Sequence, residues 1–492
     1  MLRLGHTVDE NQPVNLSLDE RRQGMYVIGT TGTGKSTFLK NVIYQDMLND
    51  REHGLCVLDP HGDLIDELLA LVPKERVDDV ILFDPMDVER PFGLNLLACD
   101  RNDPHQVRWV VSTIMGTLRR LYSYSWGPRL EHVLLHTLLT AMLLPDATFL
   151  ELTLLLSNEK YRDKIVQEVK DPIIKEFWDS FPRSERLAYE LTSSTLNKLS
   201  PFIVDQSMRN IIGQPKNTID LPKIMDEGKI LFVNLSKGDL GEENSSLLGS
   251  VLVNLVLIAA LQRRRIPVQE RRPFHLYVDE FQNFATESFA ILQSEARKYA
   301  VDVVVVHQYR DQLDDLSKGS TLNVGNLVVF RTTGLDGHDL ASQFDNTPPP
   351  PDKIMEPTYR PHTVTEGGEQ LYYQPKSTTG IGNLYHEVER LRRTYSDMEG
   401  ERANQLSILP NYEARCRLIQ KPQDGSRPKL VERHIVTENL TDGKGDPGIA
   451  ARIRENSRRL ARSKADVEKD ITRRSFGEVQ SGKDFATSEK IE

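Results

Sequence analysis

Two kinds of hydrophobic pattern divide this 492-residue chain. Short unbroken apolar runs come first. Met25-Tyr-Val-Ile28, Leu55-Cys-Val-Leu58 and Val80-Ile-Leu-Phe83 have the length and composition of strands buried on both faces. Between them, Ser36–Leu48 and Leu64–Leu71 carry apolar residues with helical character. Asp59-Pro60 and Asp84-Pro85 turn the chain after the second and third runs. This alternation predicts an α/β fold, a mostly parallel sheet covered by helices.

From about Pro104 to Asp220 the apolar runs give way to leucine-rich helical periodicity broken by proline and asparagine, which predicts an all-helical insertion. Strand runs return at Ile230–Val233, His275–Val278, Val303–Val306 and Leu327–Phe330. The expected division is therefore 1–103 for the first part of the core, 104–220 for the insertion and 221–345 for the second part of the core. Residues 346–423 follow as a proline-rich loop with elements packed on the core: four consecutive prolines, a charged helix over Leu384–Tyr395 and a strand over Glu413–Ile419. Residues 424–492 are polar, and Arg452–Arg474 holds nine basic and four acidic residues, the texture of a solvated helix or a disordered tail.

Composition narrows the setting more than the chemistry. Apolar residues make up 38% and charged residues 27%, as in ordinary globular proteins. Cys56, Cys99 and Cys416 lie far apart without CxxC spacing, so neither a disulfide framework nor a zinc site is indicated. The first residues lack the apolar stretch of a leader, and the most apolar window, Leu247–Leu261, is shorter than the ~20 residues a span requires. It reads as a buried helix. A net charge of −10 argues against a chain coated in nucleic acid but leaves room for a local basic groove.

The candidate chemistry begins directly after the first strand. Gly29-Thr30-Thr31-Gly32-Thr33-Gly34-Lys35-Ser36-Thr37 fits GxxxxGK[ST]. Glycines there let backbone amides face phosphates, Lys35 neutralises the β and γ oxygens, and the Ser36 hydroxyl ligates Mg2+. The following helix adds its N-terminal dipole. A second strand must bring an acid to the metal, and His275-Leu-Tyr-Val-Asp279-Glu280 ends in two. Asp279 would hold Mg2+ through water while Glu280 orients and polarises the attacking water. Val303–Val306 leads to His307-Gln308, whose amide suits sensing of a γ-phosphate. Asn197-Lys198 lacks the aspartate of a guanine-reading NKxD element, which favours ATP over GTP. Asp59-Pro-His-Gly-Asp63 is read equally as a contact with nucleotide or a neighbouring subunit and as a polar turn.

Taken together, GTTGTGKS, LDPHGDLID, LYVDEFQNF, EARKYAVDVVVVHQYRDQL and FRTTGLDGHDLASQF resemble the HerA and FtsK superfamily of hexameric DNA pumps. The nearest branch is the type IV coupling proteins, the TraG and TraD kind of conjugation ATPase, which also carry a long helical insertion. The resemblance covers most of residues 20–345, with a weaker echo at LPNYEARCRLI. It implies a RecA-like P-loop core interrupted by an all-helical domain and assembled as a homo-oligomeric ring, most simply a hexamer. It also implies an arginine finger at Arg297, 17 residues after Glu280 and 11 before Gln308, reaching the neighbouring subunit's site. DNA in the pore would be gripped mainly by its phosphates. Candidate basic surfaces are Arg263-Arg264-Arg265 with Arg271 and Arg272, and Arg119-Arg120.

The functional expectation is an ATP-hydrolysing motor that passes DNA to a conjugative or type IV secretion-like channel, with a relaxase or channel component as partner. Coupling proteins usually carry N-terminal membrane helices, whereas no span is seen in the residues before this P-loop. A cytoplasmic location, with recruitment to the inner membrane face by another protein, is the matching expectation. Other readings are a HerA-like enzyme of repair or defence with a nuclease partner, a secretion ATPase acting on protein, and a nucleotide-dependent scaffold. Glu280 and Arg297 speak against the scaffold, since binding alone needs neither.

Overall fold

Among the described residues, eleven strands join in one sheet whose order brings distant segments to a common edge. The computed structural model describes residues 1–48, 51–313, 315–347, 394–421 and 427–476, with the backbone of 352–357, 363–366, 369–372 and 385–390. Its strands are β1 (Leu2–Thr7), β2 (Pro13–Leu16), β3 (Met25–Ile28), β4 (Gly54–Asp59), β5 (Val80–Phe83), β6 (Ile230–Asn234), β7 (Phe274–Val278), β8 (Val301–His307) and β9 (Asn326–Val329). They continue with β10 (Asp352–Pro357), β11 (Thr363–Glu366), β12 (Glu369–Tyr372), β13 (Tyr385–Arg390), β14 (Glu413–Gln420) and β15 (Lys429–Val436).

The sheet runs β2-β1-β15-β14-β9-β3-β8-β7-β4-β6-β5. From β9 to β5 all neighbours are parallel, and the four strands beyond β9 are antiparallel. Strands buried on both faces tolerate the unbroken apolar runs seen here, and β3, β4 and β7 are buried throughout. Register matters for the chemistry. Ile28 lies opposite His307, Leu58 opposite Val278, and Val278 opposite Val305. The residues that follow β3, β4, β7 and β8 therefore emerge at one end of the parallel block, as ligand sites in open α/β sheets do.

Between β5 and β6, the span Pro104–Ile212 consists of seven α-helices without a strand. Their starts are local. Asp103 and Asp171 cap helices whose first residue is a proline, and Thr148 with Glu151 forms a capping box. An Asp-Pro pair thus opens helices here, whereas after β4 and β5 it turns the chain. The long apolar helix Glu242–Gln262 is also longer than its sequence window suggested. The span Glu242–Arg265 is long and apolar enough to cross a membrane, yet 83% of its apolar window is buried inside the protein.

The C-terminal part departs most from expectation. Of the two readings of Arg452–Arg474, the described residues take the helical one, in helices Pro447–Arg458 and Lys464–Phe476; what the sequence did not show is β15, which inserts between β14 and β1. Ile453 and Val467 are buried, and basic residues meet acidic ones across the chain, as in Arg452 with Asp78, Arg454 with Asp66 and Arg474 with Glu151. The charge run is one half of a complementary surface. Part of that tail, residues 477–492, lies outside the described residues.

The chain divides into a unit of residues 1–331 with 410–492 and a second unit of 332–409, so the large unit breaks at Arg331 rather than at residue 345. In the second unit, helix Gly334–Ala341 packs on helix Tyr395–Ser407 so closely that a Cβ on Gly337 would stand 2.9 Å from the Ala403 carbonyl oxygen. Within Leu384–Tyr395, expected as a helix, residues 385–390 are instead strand β13, whose hydrogen bonds are supplied by antiparallel pairing with β10. Leu384, residues 391–393 and the proline run Pro348–Pro351 lie outside the described residues.

Candidate nucleotide site

The loop from Gly29 to Gly34 is shaped by its glycines and held from the neighbouring strands. Gly32 and Gly34 adopt left-handed conformations, with φ of 77° and 110°. At Gly29 a Cβ would meet Phe330 at 2.6 Å. Thr30 donates its N–H to the Arg331 carbonyl at 2.7 Å, and the Thr33 hydroxyl donates to the Thr30 carbonyl at 2.7 Å. Helix Lys35–Met47 starts at once. The buried Lys35 ammonium donates to the Thr30 carbonyl at 2.9 Å. Burial lowers its pKa, and the charges of Glu280 and Asp279 work against that. Ser36 is exposed and Thr37 half-buried, so both hydroxyl-bearing residues stand at the helix mouth.

Three carboxylates gather opposite this loop. Asp59 at the end of β4 is fully buried and accepts the N–H groups of His61 at 2.8 Å and Ile65 at 3.2 Å. Burial raises its pKa. Asp279, just past β7, is raised to about 7 by burial and by the negative charges of Glu280 and Asp59. Crowded carboxylates with too little compensating charge are a setting that a divalent cation relieves. With the Ser36 hydroxyl nearby in the motif, the donor set suits Mg2+, a hard cation that prefers oxygen. By contrast, Asp46, His53 and His275 lie close enough to share an ion, but both Asp46 oxygens already accept from Arg21 at 2.7 Å.

Glu280 is aimed by its neighbours. Its backbone is left-handed, φ 43° and ψ 52°, a strained state for a non-glycine residue. Gln308 donates Nε2–H to Glu280 Oε1 at 2.6 Å, and Gln282 donates to Oε2 at 2.7 Å. The Thr31 hydroxyl donates in turn to Gln308 Oε1 at 3.2 Å, so one amide ties the P-loop to the acidic strand. Lys35, Asp279, Glu280 and Gln308 are brought together as their spacing predicts.

Arg297 is not with them. It precedes β8, at the opposite end of the sheet from the P-loop, and its guanidinium donates to Gln23 Oε1, just ahead of β3. The basic clusters fare differently again. Arg120, at the end of the insertion's first helix Pro104–Leu121, donates to the carbonyls of Gln282 at 2.8 Å, Ala285 at 3.1 Å, and Asn283. It therefore fastens the insertion to the loop that follows Glu280. Arg119 pairs with Glu131 and lies over Trp126. Arg263 is buried and bonds Asp226, the Tyr299 carbonyl at 3.0 Å and the Arg272 carbonyl at 2.6 Å. Arg120 and Arg263 are thus committed within the fold, while Arg264 and Arg265 stay exposed.

Three neighbours of the site were not singled out by sequence: Gln282 and Tyr412, although both lie within quoted motifs, and Lys237, which lies in none. Lys237 donates to Asn283 Oδ1 at 2.6 Å, and burial lowers its pKa against the pull of Glu242 and Glu280. Tyr412 donates its N–H to the Thr33 carbonyl at 2.7 Å, with φ of 67°. Only the motif LPNYEARCRLI, near the end of the family-like region, marked its neighbourhood.

Known proteins resemble this chain at two levels. Residues 2–121 match the family described as helicase HerA, central domain. An uncharacterised protein, aq_aa31, of Aquifex aeolicus (strain VF5) is 37% identical over 70 residues, 14% of this chain. The matched stretch spans about a quarter, 26%, of that relative. In structure, the bacterial conjugative coupling protein TrwBdeltaN70 in its unbound monoclinic form gives a TM-score of 0.55 at 17% identity, covering 89% of each chain. The plasmid coupling protein TrwB with ADP and Mg2+ gives 0.53 at 16% identity, covering 88% of this chain and 90% of that one. TrwB was also solved with non-hydrolysable analogues of GTP and ATP. VirB4 of Thermoanaerobacter pseudethanolicus gives 0.50 at 12%, covering 89% and 96%.

Proposed function

We propose that this chain, whose fold is that of the HerA/FtsK-type P-loop ATPases close to the type IV coupling proteins, is an ATP-hydrolysing motor that moves DNA as a homo-oligomeric ring. The observation that carries the reading is the meeting of Lys35, Asp279, Glu280 and Gln308 at one end of the parallel strands, with Glu280 held by Gln308 at 2.6 Å. Nucleotide phosphates rest on the amides of residues 29–36, with Lys35 on the β and γ oxygens. Mg2+ bound by Ser36 and Asp279 would neutralise charge on the phosphates. Glu280 orients and deprotonates a water for in-line attack, and Gln308 reports the state of the γ-phosphate to it.

Arg297 lies away from the P-loop of its own chain, which supports a finger acting on the next copy. Hydrolysis is then conditional on assembly. DNA is the cargo, a type IV secretion-like channel the destination, and recruitment to the inner membrane face falls to a partner. The test is ATP turnover against protein concentration, with and without DNA. Stimulation by DNA and a steep rise with concentration are expected; equal turnover with and without DNA at every concentration rejects the DNA motor. A mixture of Arg297→Ala and Glu280→Gln chains should recover part of the activity that each lacks alone, and no recovery would remove the shared site.

A further inference from the structure

Beside the P-loop stands an aromatic ring that the phosphate chemistry does not use. Tyr412 immediately precedes β14 and is fixed from both sides. Its N–H donates to the Thr33 carbonyl at 2.7 Å, and its own carbonyl accepts the Thr437 N–H at 2.8 Å and hydroxyl at 3.0 Å. A Cβ built on Gly34 would lie 2.9 Å from Tyr412 Cδ1, which puts the ring edge over the point where helix Lys35–Met47 begins.

Two properties of this residue pull against a purely structural role. The residue is 50% exposed, so burial does not account for an aromatic here. Its φ of 67° is a conformation that glycine takes freely and that a bulky residue adopts only at a cost. A glycine would close the same turn with less strain. Non-glycine residues held in this region cluster at ligand sites. Glu280, on the other flank of the P-loop, shares this conformation, as do Asn11, Arg51, Asp146 and Ala300 elsewhere.

The direction of a bound nucleotide follows from the groups already placed. Thr31, Gln308 and Glu280 are linked on the flank where water attacks, so the γ-phosphate must face them. The nucleoside then leaves the loop on the other flank, past Gly34 and the first helical turn, where Tyr412 stands. We propose that Tyr412 is the platform on which the purine base of the bound nucleoside triphosphate stacks. This deepens the nucleotide-site reading above and rests on it. Stacking uses the π face that every purine shares, so Tyr412 supports adenine and guanine nucleotides alike. It loosens the preference for ATP inferred from the missing NKxD element.

The test is equilibrium binding to the full chain, with Mg2+, of the imido analogues of ATP and GTP and of inorganic tripolyphosphate. It compares the wild type with Tyr412→Phe and Tyr412→Gly. Glycine removes the ring and relaxes the left-handed backbone, so its melting temperature should not fall, which keeps the comparison interpretable. Tyr412→Gly should weaken both nucleotide analogues about tenfold and leave tripolyphosphate unchanged, and Tyr412→Phe should match the wild type. A parallel loss of tripolyphosphate would make Tyr412 a support of the loop and overturn the platform, as would unchanged nucleotide affinity. A wild type that binds neither the nucleotides nor tripolyphosphate would remove the nucleotide site itself, and the platform with it.

Discussion

Helix Lys35–Met47 has a charge cluster at each end, and the two clusters are built on opposite principles. At its start, Asp59, Asp279 and Glu280 face a single buried lysine, and the pKa values of Asp59 and Asp279 are pushed up. Near its end, Asp46 meets Arg21, which also lies 3.7 Å from Asp302, while His275 bonds Asp302 at 2.6 Å. Burial alone would raise Asp46 and Asp302, but Arg21 overcomes it for Asp46, and His275 with Arg21 overcomes it for Asp302, so both are held low. His53, beside them, is pushed down to about 4 by burial and by His275. The lower cluster is internally compensated and holds the helix to β7 and β8. The upper one is left short of positive charge, as a cation site should be. Buried charge alone does not mark a functional site; its lack of balance does.

The upper cluster should respond in turnover, most strongly at Glu280. Replacement by Gln should lower turnover about 10²- to 10⁴-fold while sparing nucleotide affinity, measured by steady-state hydrolysis and by binding. Comparable losses in both would mean that Glu280 serves binding. The lower cluster should respond in stability instead. Asp46→Ala leaves Arg21 buried without its main partner and should cost about 3–5 kcal/mol in denaturant unfolding. A loss under about 1 kcal/mol would show that the cluster is not compensated as described.

Arg120→Ala should reduce kcat about tenfold with little change in KM, since it frees the loop carrying Gln282 and Asn283 rather than the phosphates. Arg120→Lys should restore part of the loss, and a change in KM alone would reassign Arg120 to binding. The smallest change in stability separates the two clusters by its sign. Asp279→Asn should stabilise the nucleotide-free protein by about 1 kcal/mol while abolishing Mg2+-dependent turnover, because it removes a repulsion kept for the metal. The pH dependence follows the same division. The contribution of Asp279, raised to about 7, is intact below about pH 4 and lost as pH climbs through 7. The contribution of Asp46, held low, is present above about pH 4 and lost on acidification. Asp279→Asn should therefore flatten the neutral limb of the stability profile, and Asp46→Ala the acidic limb.

What could be read from the sequence was local. The P-loop lies within nine consecutive residues, and β3, β5 and β7 are near-continuous apolar runs, so pattern alone placed them. The insertion announced itself by periodicity. Contacts that depend on the sheet order were invisible. Arg120 reaches carbonyls more than 160 residues away, and Arg263 looked like its neighbours Arg264 and Arg265 until the fold turned it inward. Strand β15 escaped notice because most of its residues are only half-buried or exposed, so no alternation shows. The lower cluster was hidden for a similar reason: Arg21, Asp46, His53, His275 and Asp302 come from five separate segments that only the fold brings together.

The place of β3 has a consequence for how the protein is made. Its two neighbours are β8 and β9, and more than 270 residues separate Ile28 from Val301. At roughly 5–20 residues per second of synthesis, the P-loop strand waits on the order of tens of seconds with both edges open. During that interval it is an apolar segment seeking a partner, the kind of stretch a chaperone holds. Gln308 and Arg331, which brace the loop and Glu280, leave the ribosome late; on the function proposed above, the order in which the sheet is assembled would spare an unfinished chain futile hydrolysis.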